Sequence, residues 1–402
     1  MKVKTYTLLF LSIASFSLIF IAIFNYLVDP FEIFNSPTIT GFNKDKPAIS
    51  RRERISKAYI IKNNCPKNII MGNSRALGIS PEYTAWPSKP TYNYALSNAS
   101  MYETYRYFQH AIANCHIQTL VLSLDFLMFE KGSGTPSQFN EQRLSVDYNG
   151  NKNKTRIKTL IQDMTTSLIS QTALKSSIET IRSQKKFIKP AFQCSAPQKN
   201  HARIFNRGGQ YQFMLQENRH LFDRLSKATD LSYRRKALHY YTQLLNDAYK
   251  NKINVILFIP PSHATLYEVI RASGYLTTFR AWKKEIVSVN EEVAKKFSNP
   301  AFNFFDFSGY NSFTTEEIPS ADQPTKGMKW FWESLHFKEE LGYHILDRIF
   351  NYHRENCITP DDFGVKISSS TINKIEKQQE QYRNAYVLNH PKLIKEISKF
   401  KQ

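Results

Sequence analysis

Two short stretches of this chain hold the residue types that acyl transfer requires. Gly72-Asn73-Ser74-Arg75 directly follows a four-residue run, Asn68-Ile69-Ile70-Met71. Far downstream, Trp332-Glu333-Ser334-Leu335-His336-Phe337 brings a carboxylate and an imidazole within three positions. A serine hydroxyl is a weak nucleophile until a base takes its proton, and histidine titrates in the right range to do so. A carboxylate on the second ring nitrogen orients the imidazole and stabilises its protonated form. The i, i+3 spacing predicts that one helical turn sets Glu333 and His336 on the same side. Ser74 is expected to open a helix after the strand. There Gly72 permits the tight turn and backbone N–H groups face a developing oxyanion. Each segment also has a plainer reading: a helix N-cap for the serine, and a surface acid with a structural histidine for the pair.

Other polar residues bear on chemistry less directly. His263 ends Pro260-Pro261-Ser262-His263 and is a candidate for contacting substrate or for a structural role. His110 and His116 lie near Cys115, but no HExxH and no paired Cys/His spacing supports a metal. Neither GxGxxG nor GxxxxGK[ST] occurs, so no nucleotide cofactor is implied. Arg203 and Arg207 are cations available to an anionic substrate or simply part of a surface loop.

These residues need elements to hold them. The pattern predicts a helix over Arg51–Asn63, a strand over Asn68–Met71, a helix near 100–113 and a strand over Thr119–Leu124. A helix over Tyr233–Lys250 leads to a strand over Val255–Ile259. A helix over Ala281–Phe297 leads to a strand over Phe302–Phe305, ending at Asp306, and a helix covers Glu339–Phe350. Alternation of strand and helix predicts a three-layer α/β/α sandwich with a mainly parallel sheet. In such sheets sites gather at the C-terminal strand ends, where Ser74, Asp125, His263 and Asp306 fall. This domain is expected to span 51–365. A mostly helical, basic insertion interrupts it at about 131–225, and a polar helical tail covers 366–402.

The N-terminus carries a second physical signal. From Tyr6 to Val28 no residue is charged, which is long enough to cross the roughly 30 Å apolar core of a bilayer as a helix. Lys2 and Lys4 precede the run, and Asp29 and Glu32 follow it, so the rest of the chain is expected outside the cytoplasm. A cleaved signal peptide, the competing reading, wants small residues at the end of a shorter core; here the run closes on Phe24-Asn25-Tyr26-Leu27-Val28. Residues 29–50, with Pro30, Pro37 and Pro47, read as a juxtamembrane linker. Cys65, Cys115, Cys194 and Cys357 can form at most two bridges, with three pairings possible; free buried thiols fit equally. The net charge of +20 is uneven: residues 151–250 hold 19 Lys/Arg against 6 Asp/Glu. That balance suits lipid headgroups or an acidic polymer, or an ordinary solvated surface. Nucleic acid is not an expected partner of an exported chain.

Together the motifs resemble those of SGNH/GDSL hydrolases. Gly72-Asn73-Ser74 looks like their first block, usually Gly-Asp-Ser, and Glu333-x-x-His336 looks like their last, usually Asp-x-x-His. The likeness is nearest to a membrane-anchored bacterial subgroup. It rests also on Asn93-Tyr94-Ala95-Leu96-Ser97, Leu124-Asp125-Phe126, Pro260-Pro261-Ser262-His263 and Asp306-Phe307-Ser308-Gly309. The resemblance implies Ser74 as nucleophile, His336 as base and Glu333 as acid, with Asp306 a substitute for Glu333. It implies an oxyanion site near Asn98, and puts Asp125 where an asparagine often falls. An ionised aspartate cannot donate to an oxyanion, so Asp125 is the alternative of a residue that holds Arg75 in place. Arg75, Asn93 and His263 are the candidates for binding substrate. The implied activity is an esterase or O-acetyltransferase acting on cell-envelope or secreted polysaccharide. It would work from the bacterial inner membrane beside a membrane-bound O-acyltransferase, without a cofactor. A catalytically inactive adaptor and a lipid esterase are the other functions this sequence admits.

Overall fold

The computed structural model describes residues 2–130, 138–184, 194–195, 202–226 and 231–401. In chain order these form α1 (Lys2–Val28), α2 (Glu53–Asn64), β1 (Asn68–Met71), β2 (Thr91–Asn93), α3 (Met101–Asn114) and β3 (Thr119–Ser123). Next come α4 (Arg156–Ile169), α5 (Gln171–Ser183), α6 (Ala202–Phe205), α7 (Gly209–Ser226), α8 (Leu231–Lys250) and β4 (Asn254–Ile259). The last are α9 (Thr265–Ala272), α10 (Leu276–Lys296), β5 (Asn303–Asp306), α11 (Glu339–Phe350), β6 (Val365–Lys366), α12 (Ile372–Asn389) and α13 (Pro391–Ser398). The chain divides into two compact units. One comprises Met1–Cys65, Arg106–His116 and Ser137–Ala191; the other comprises Pro66–Tyr105, Ile117–Pro136 and Phe192–Gln402.

The first unit is helical. α1 is apolar over Val3–Val28, and its most apolar window has no buried residue, so it is long and apolar enough to cross a membrane. Only its last turns pack, against α4 and α5. The segment after it is folded tightly. Phe31, Ile33, Ala48, Tyr59 and Ala173 form a small core, and the buried Asp29 carboxylate accepts from the Ile33 and Phe34 amides at 2.9 and 3.1 Å. Cys65 and Cys115 form a disulfide with Cα atoms 5.1 Å apart. His110 is a structural residue: its ring meets the Ala58 carbonyl at 2.8 Å and the Ser145 amide at 2.8 Å.

The second unit is mixed α/β around one six-stranded sheet of order β2-β1-β3-β4-β5-β6. The first five strands are parallel, and β6 pairs antiparallel with β5. β1 and β3 are buried along their whole length, as the apolar character of parallel strands requires. The winding reverses between β1 and β3, because the chain steps out to β2 and returns to the far side of β1. Such a reversal opens a crevice at the C-terminal strand ends. Register brings those ends together: Met71 lies opposite Leu122, Ser123 opposite Phe258, and Ile259 opposite Asp306. Cys194 pairs with Cys357 in this unit.

Several expectations shift in detail. β2, α9 and β6 are additional elements, and α10 starts five residues earlier than the pattern suggested. Ser74 opens a five-residue 3-10 turn, Ser74–Gly78, rather than an α-helix. Glu333 and His336 lie on no helix. They occupy a loop closed by an antiparallel bridge between Phe331 and Phe337. The bridge and its flanking pairs, Trp332 N–H to the His336 carbonyl and Lys338 N–H to the Trp330 carbonyl, fold the segment back on itself as a hairpin-like loop, which a helical turn could not do. Within the expected insertion, 138–155 form a 3-10 turn and a small bridge between Val146 and Lys152, and the helices begin at Arg156: α4 and α5 belong to the first unit, α6 and α7 to the second. Residues 131–137, 185–193 and 196–201, within the expected insertion, lie outside the described residues.

Candidate active site

The site begins at the end of β1. Gly72 has φ +141°, and a Cβ there would lie 2.8 Å from the Ser123 Cβ and 2.9 Å from its carbonyl oxygen. Only glycine lets the chain leave β1 so close to β3. Asn73 then caps the turn, its side-chain oxygen accepting from the Arg75 amide at 3.1 Å. This presents Ser74 half-buried at the crevice mouth while Arg75 and Ala76 point inward and are buried.

The second half of the site is the loop 331–337. Its backbone closes on itself: the Trp332 amide donates to the His336 carbonyl at 2.9 Å and the Lys338 amide to the Trp330 carbonyl at 2.8 Å. Phe331 and Phe337 sit in the same core cluster as Ala76 and Ile79 of the serine turn. Gly78 lies so near the Phe337 ring that a Cβ would come within 2.7 Å of it. Apolar packing on both sides therefore fixes the distance between two loops 262 positions apart in sequence. Burying each of these phenylalanines contributes roughly 1.5–3 kcal/mol.

On that framework Ser74 Oγ lies 2.8 Å from His336 Nε2. His336 Nδ1 makes a short contact with Glu333 Oε1. Glu333 is buried, and its carboxylate also accepts from the Leu335 and His336 amides at 2.7 and 3.0 Å. Burial pushes the Glu333 carboxyl up, but the His336 hydrogen bond and charge, with these amides, bring it below its ordinary value. Partial burial disfavours the imidazolium, yet the hydrogen bond and charge of Glu333 outweigh it and raise His336 above its ordinary value. The His336 side chain keeps 40% of its surface exposed. The arrangement can take a proton from a hydroxyl and hold it on an oriented ring.

Behind the serine, Arg75 locks three strand ends together. Its guanidinium contacts Asp125 Oδ1 at 2.9 Å, the Pro260 and Pro261 carbonyls at 2.9 and 3.0 Å, and the Ser262 hydroxyl. Asn73 Nδ2 takes the other Asp125 oxygen at 2.6 Å, and the Leu127 amide donates to Oδ1 at 3.2 Å. Both Asp125 oxygens are thus committed to the scaffold, so Asp125 supplies no donor to an oxyanion. Arg75 is buried, with Nη1 and Nη2 on protein oxygens and Nε without a partner, so it sits behind the serine rather than at the substrate as expected.

The remaining candidates are placed elsewhere. Asn93 donates to the Ala76 and Ile79 carbonyls at 2.9 and 2.8 Å, bracing the serine turn rather than facing the cleft. His263 is fully buried and engages Thr265 Oγ1 at 3.0 Å and the Glu316 carbonyl at 2.7 Å. Burial lowers its pKa to about 4, and it has no path to substrate. Asp306 does not reach His336; it holds Lys283 at 2.6 Å and Ser308. Asn98 is exposed at a turn with φ +53°, just beyond Leu96, whose amide pairs with the Gly72 carbonyl at 3.0 Å.

A cleft of about 530 Å³ opens beside His336 and Glu333, lined further by Ala202, Ile204, Phe213, Glu217 and Trp332. Gln210 fixes one wall by donating to the Trp332 carbonyl at 2.9 Å. Arg207 lies over the Phe213 ring and pairs with Glu217 at 3.2 Å. The polar composition of the region gave no sign that α6 and α7 wall a cleft. The bracing role of Asn73 had only its place between Gly72 and Ser74 as a signal.

Comparison with known proteins gives no match: no protein-family model, no curated protein and no solved structure is similar to this chain.

Proposed function

We propose that this chain is a serine-dependent acyl-ester hydrolase or O-acyltransferase, with Ser74 as nucleophile, His336 as general base and Glu333 as the residue that orients it. The observation that carries the reading is the continuous chain of contacts from Ser74 Oγ through His336, at 2.8 Å, to the buried Glu333. His336 Nε2 takes the serine proton as Oγ attacks an ester carbonyl; Nδ1–H stays with Glu333. The Ser74 N–H and Asn98 are the oxyanion donors in this scheme. Collapse of the tetrahedral intermediate returns the proton from Nε2 to the leaving oxygen and leaves an acyl-serine. Water or a sugar hydroxyl, deprotonated by the same nitrogen, then accepts the acyl group.

The strand order, and a site at the strand ends beside the winding reversal, support a three-layer α/β/α sandwich of the SGNH/GDSL type. The apolar α1 and two disulfides support an inner-membrane anchor with the second unit outside the cytoplasm, where thiols oxidise. On this reading the acceptor is an envelope or secreted polysaccharide, and a membrane-bound O-acyltransferase is the partner. The cleft favours a second reading. Ile204, Phe213 and Trp332 give it apolar walls, which suit the acyl chain of a lipid ester.

A fluorophosphonate probe tests the reaction class directly. The full chain in membranes should be labelled, and Ser74→Ala should not. Failure to label the intact wild type would leave a non-catalytic adaptor as the surviving account. Nitrophenyl esters of increasing chain length then separate the two substrates: preference for acetyl supports the polysaccharide reading, and preference for long chains supports the lipid one.

A further inference from the structure

The helical first unit carries an outward surface that the proposed chemistry does not use. α1 is tied to the α4–α5 hairpin at one buried polar residue. Asn25 Nδ2 donates to the Leu168 carbonyl at the end of α4, 2.7 Å away, and the Ser177 hydroxyl of α5 donates to Asn25 Oδ1 at 2.7 Å. Just beyond, Ser36 and Asn43 donate to the Tyr26 and Leu27 carbonyls at 2.5 and 3.0 Å. Polar partners therefore begin at the last turn of α1. At 1.5 Å per residue the uncharged run Tyr6–Val28 of α1 spans about 34 Å, more than a bilayer core of roughly 30 Å. Its last turn, and the hairpin tied to it, then fall at the level of the lipid headgroups.

The hairpin's surface suits that level. On α4, Ile157, Ile161 and Ile169 are 68%, 60% and 48% exposed, and at 100° per residue they lie within about 120° of arc. Ile178 of α5 adds a further exposed apolar side chain. Lys158 falls on the same arc, and Lys152, Lys154, Arg156, Lys175 and Arg182 flank it along the chain. The two acidic residues of this stretch are already matched: Asp163 by Arg143 at 2.6 Å and Glu179 by Arg51. An apolar stripe with an unopposed cationic rim is the composition of a helix that lies in a membrane surface.

We infer that the α4–α5 hairpin is a second membrane contact, lying in the headgroup region with its isoleucines at the acyl boundary and its lysines and arginines on anionic lipid. It rests on α1 spanning the bilayer, but not on the Ser74 chemistry. The anchor is then a wedge with a fixed tilt rather than a single rod. The first unit keeps one orientation to the bilayer.

The test uses the full chain reconstituted in phosphatidylcholine–phosphatidylglycerol vesicles. A nitroxide is attached at Ile161→Cys, at Ile169→Cys, and at Leu388→Cys on α12 as a solvent control. Ile178→Cys serves if either hairpin variant fails to accumulate. The expected result is that molecular oxygen relaxes the hairpin labels more than a water-soluble nickel complex does, with the order reversed at 388. Nickel access at 161 and 169 equal to that at 388 overturns the inference. Low access of both reagents there means protein covers the stripe, and overturns it too. Extraction of the chain by alkaline carbonate overturns it at its premise, whatever the fluorophosphonate result.

Discussion

Two strand ends of the α/β unit bring together a serine, a basic side chain and a carboxylate. At the end of β1, Ser74 faces His336, which leans on Glu333. At the end of β5, Ser308 receives Lys283 at 2.7 Å, and Lys283 also holds Asp306 at 2.6 Å. The ingredients are similar and the outcomes differ. Lys283, Asp306 and Ser308 are 7%, 5% and 6% exposed, beside a cavity of about 60 Å³. An ammonium that donates to both neighbours has no lone pair to accept a serine proton. His336 keeps 40% of its side chain exposed beside about 530 Å³ of open cleft, and its Nε2 is the atom that meets the hydroxyl. A hydroxyl near a base is thus not a nucleophile by proximity alone. The base must present a lone pair, and there must be room for the acyl group.

The strongest way to break this contrast is to remove the serines in turn. Ser74→Ala should abolish fluorophosphonate labelling and lower kcat for an activated ester by about 10⁴-fold or more. Ser308→Ala should leave labelling intact; labelling that tracks Ser308 would reverse the assignment. Glu333→Gln comes next, with an expected loss of roughly 10²–10⁴ in kcat. Its pH profile sharpens the point. Because Glu333 raises the pKa of His336, the acid limb of kcat/KM in the wild type should lie above the ordinary 6.5. In Glu333→Gln burial and the Arg75 charge remain, opposed only by the Asp125 charge, so the limb should move below that value while the plateau falls. An unmoved limb would separate Glu333 from His336.

Stability should rank the two clusters the other way. Lys283→Met leaves the buried Asp306 unmatched and should cost roughly 3–5 kcal/mol in denaturant titration, while the folded protein still labels. The Glu333–His336 pair should show its contribution through pH. His336, raised, stabilises the fold fully below 6.5 and loses this as pH rises through its folded value. Glu333, lowered, contributes above 4.5 and loses this as pH falls through its folded value. The melting difference between wild type and Glu333→Gln should therefore be widest between those limits. A flat difference would mean the pair does not titrate together. The smallest effect is expected at His263: replacement by alanine leaves the Glu316 carbonyl without its partner, costing about 1–3 kcal/mol without changing KM.

Much of the sheet was legible because its strands are short apolar runs bounded by polar residues. β1 and α11 fall on the residues the pattern indicated. β2 was not legible, since Thr91-Tyr92-Asn93 is half-buried and carries no apolar run. At the site, the residue types and order named Ser74, Glu333 and His336, but not how they meet. The i, i+3 spacing suggested a helix; a loop pinned by Phe331 and Phe337 gives the same neighbours by another backbone. Arg75, Asn93 and His263 looked available because sequence shows polarity and not which way a side chain turns. Each is instead committed to carbonyls of its own scaffold. The walls of the cleft come from α6 and α7, whose alignment with residue 332 depends on a tertiary contact no local pattern encodes.

The 262 positions that separate Ser74 from His336 also set a schedule for the proposed chemistry. A chain made from its N-terminus releases the hydroxyl early and the ring only when most of the polypeptide is already out. Throughout that interval the serine lacks His336, its base in the proposed mechanism. On the proposed mechanism the chain is made unarmed, and its last quarter arms it.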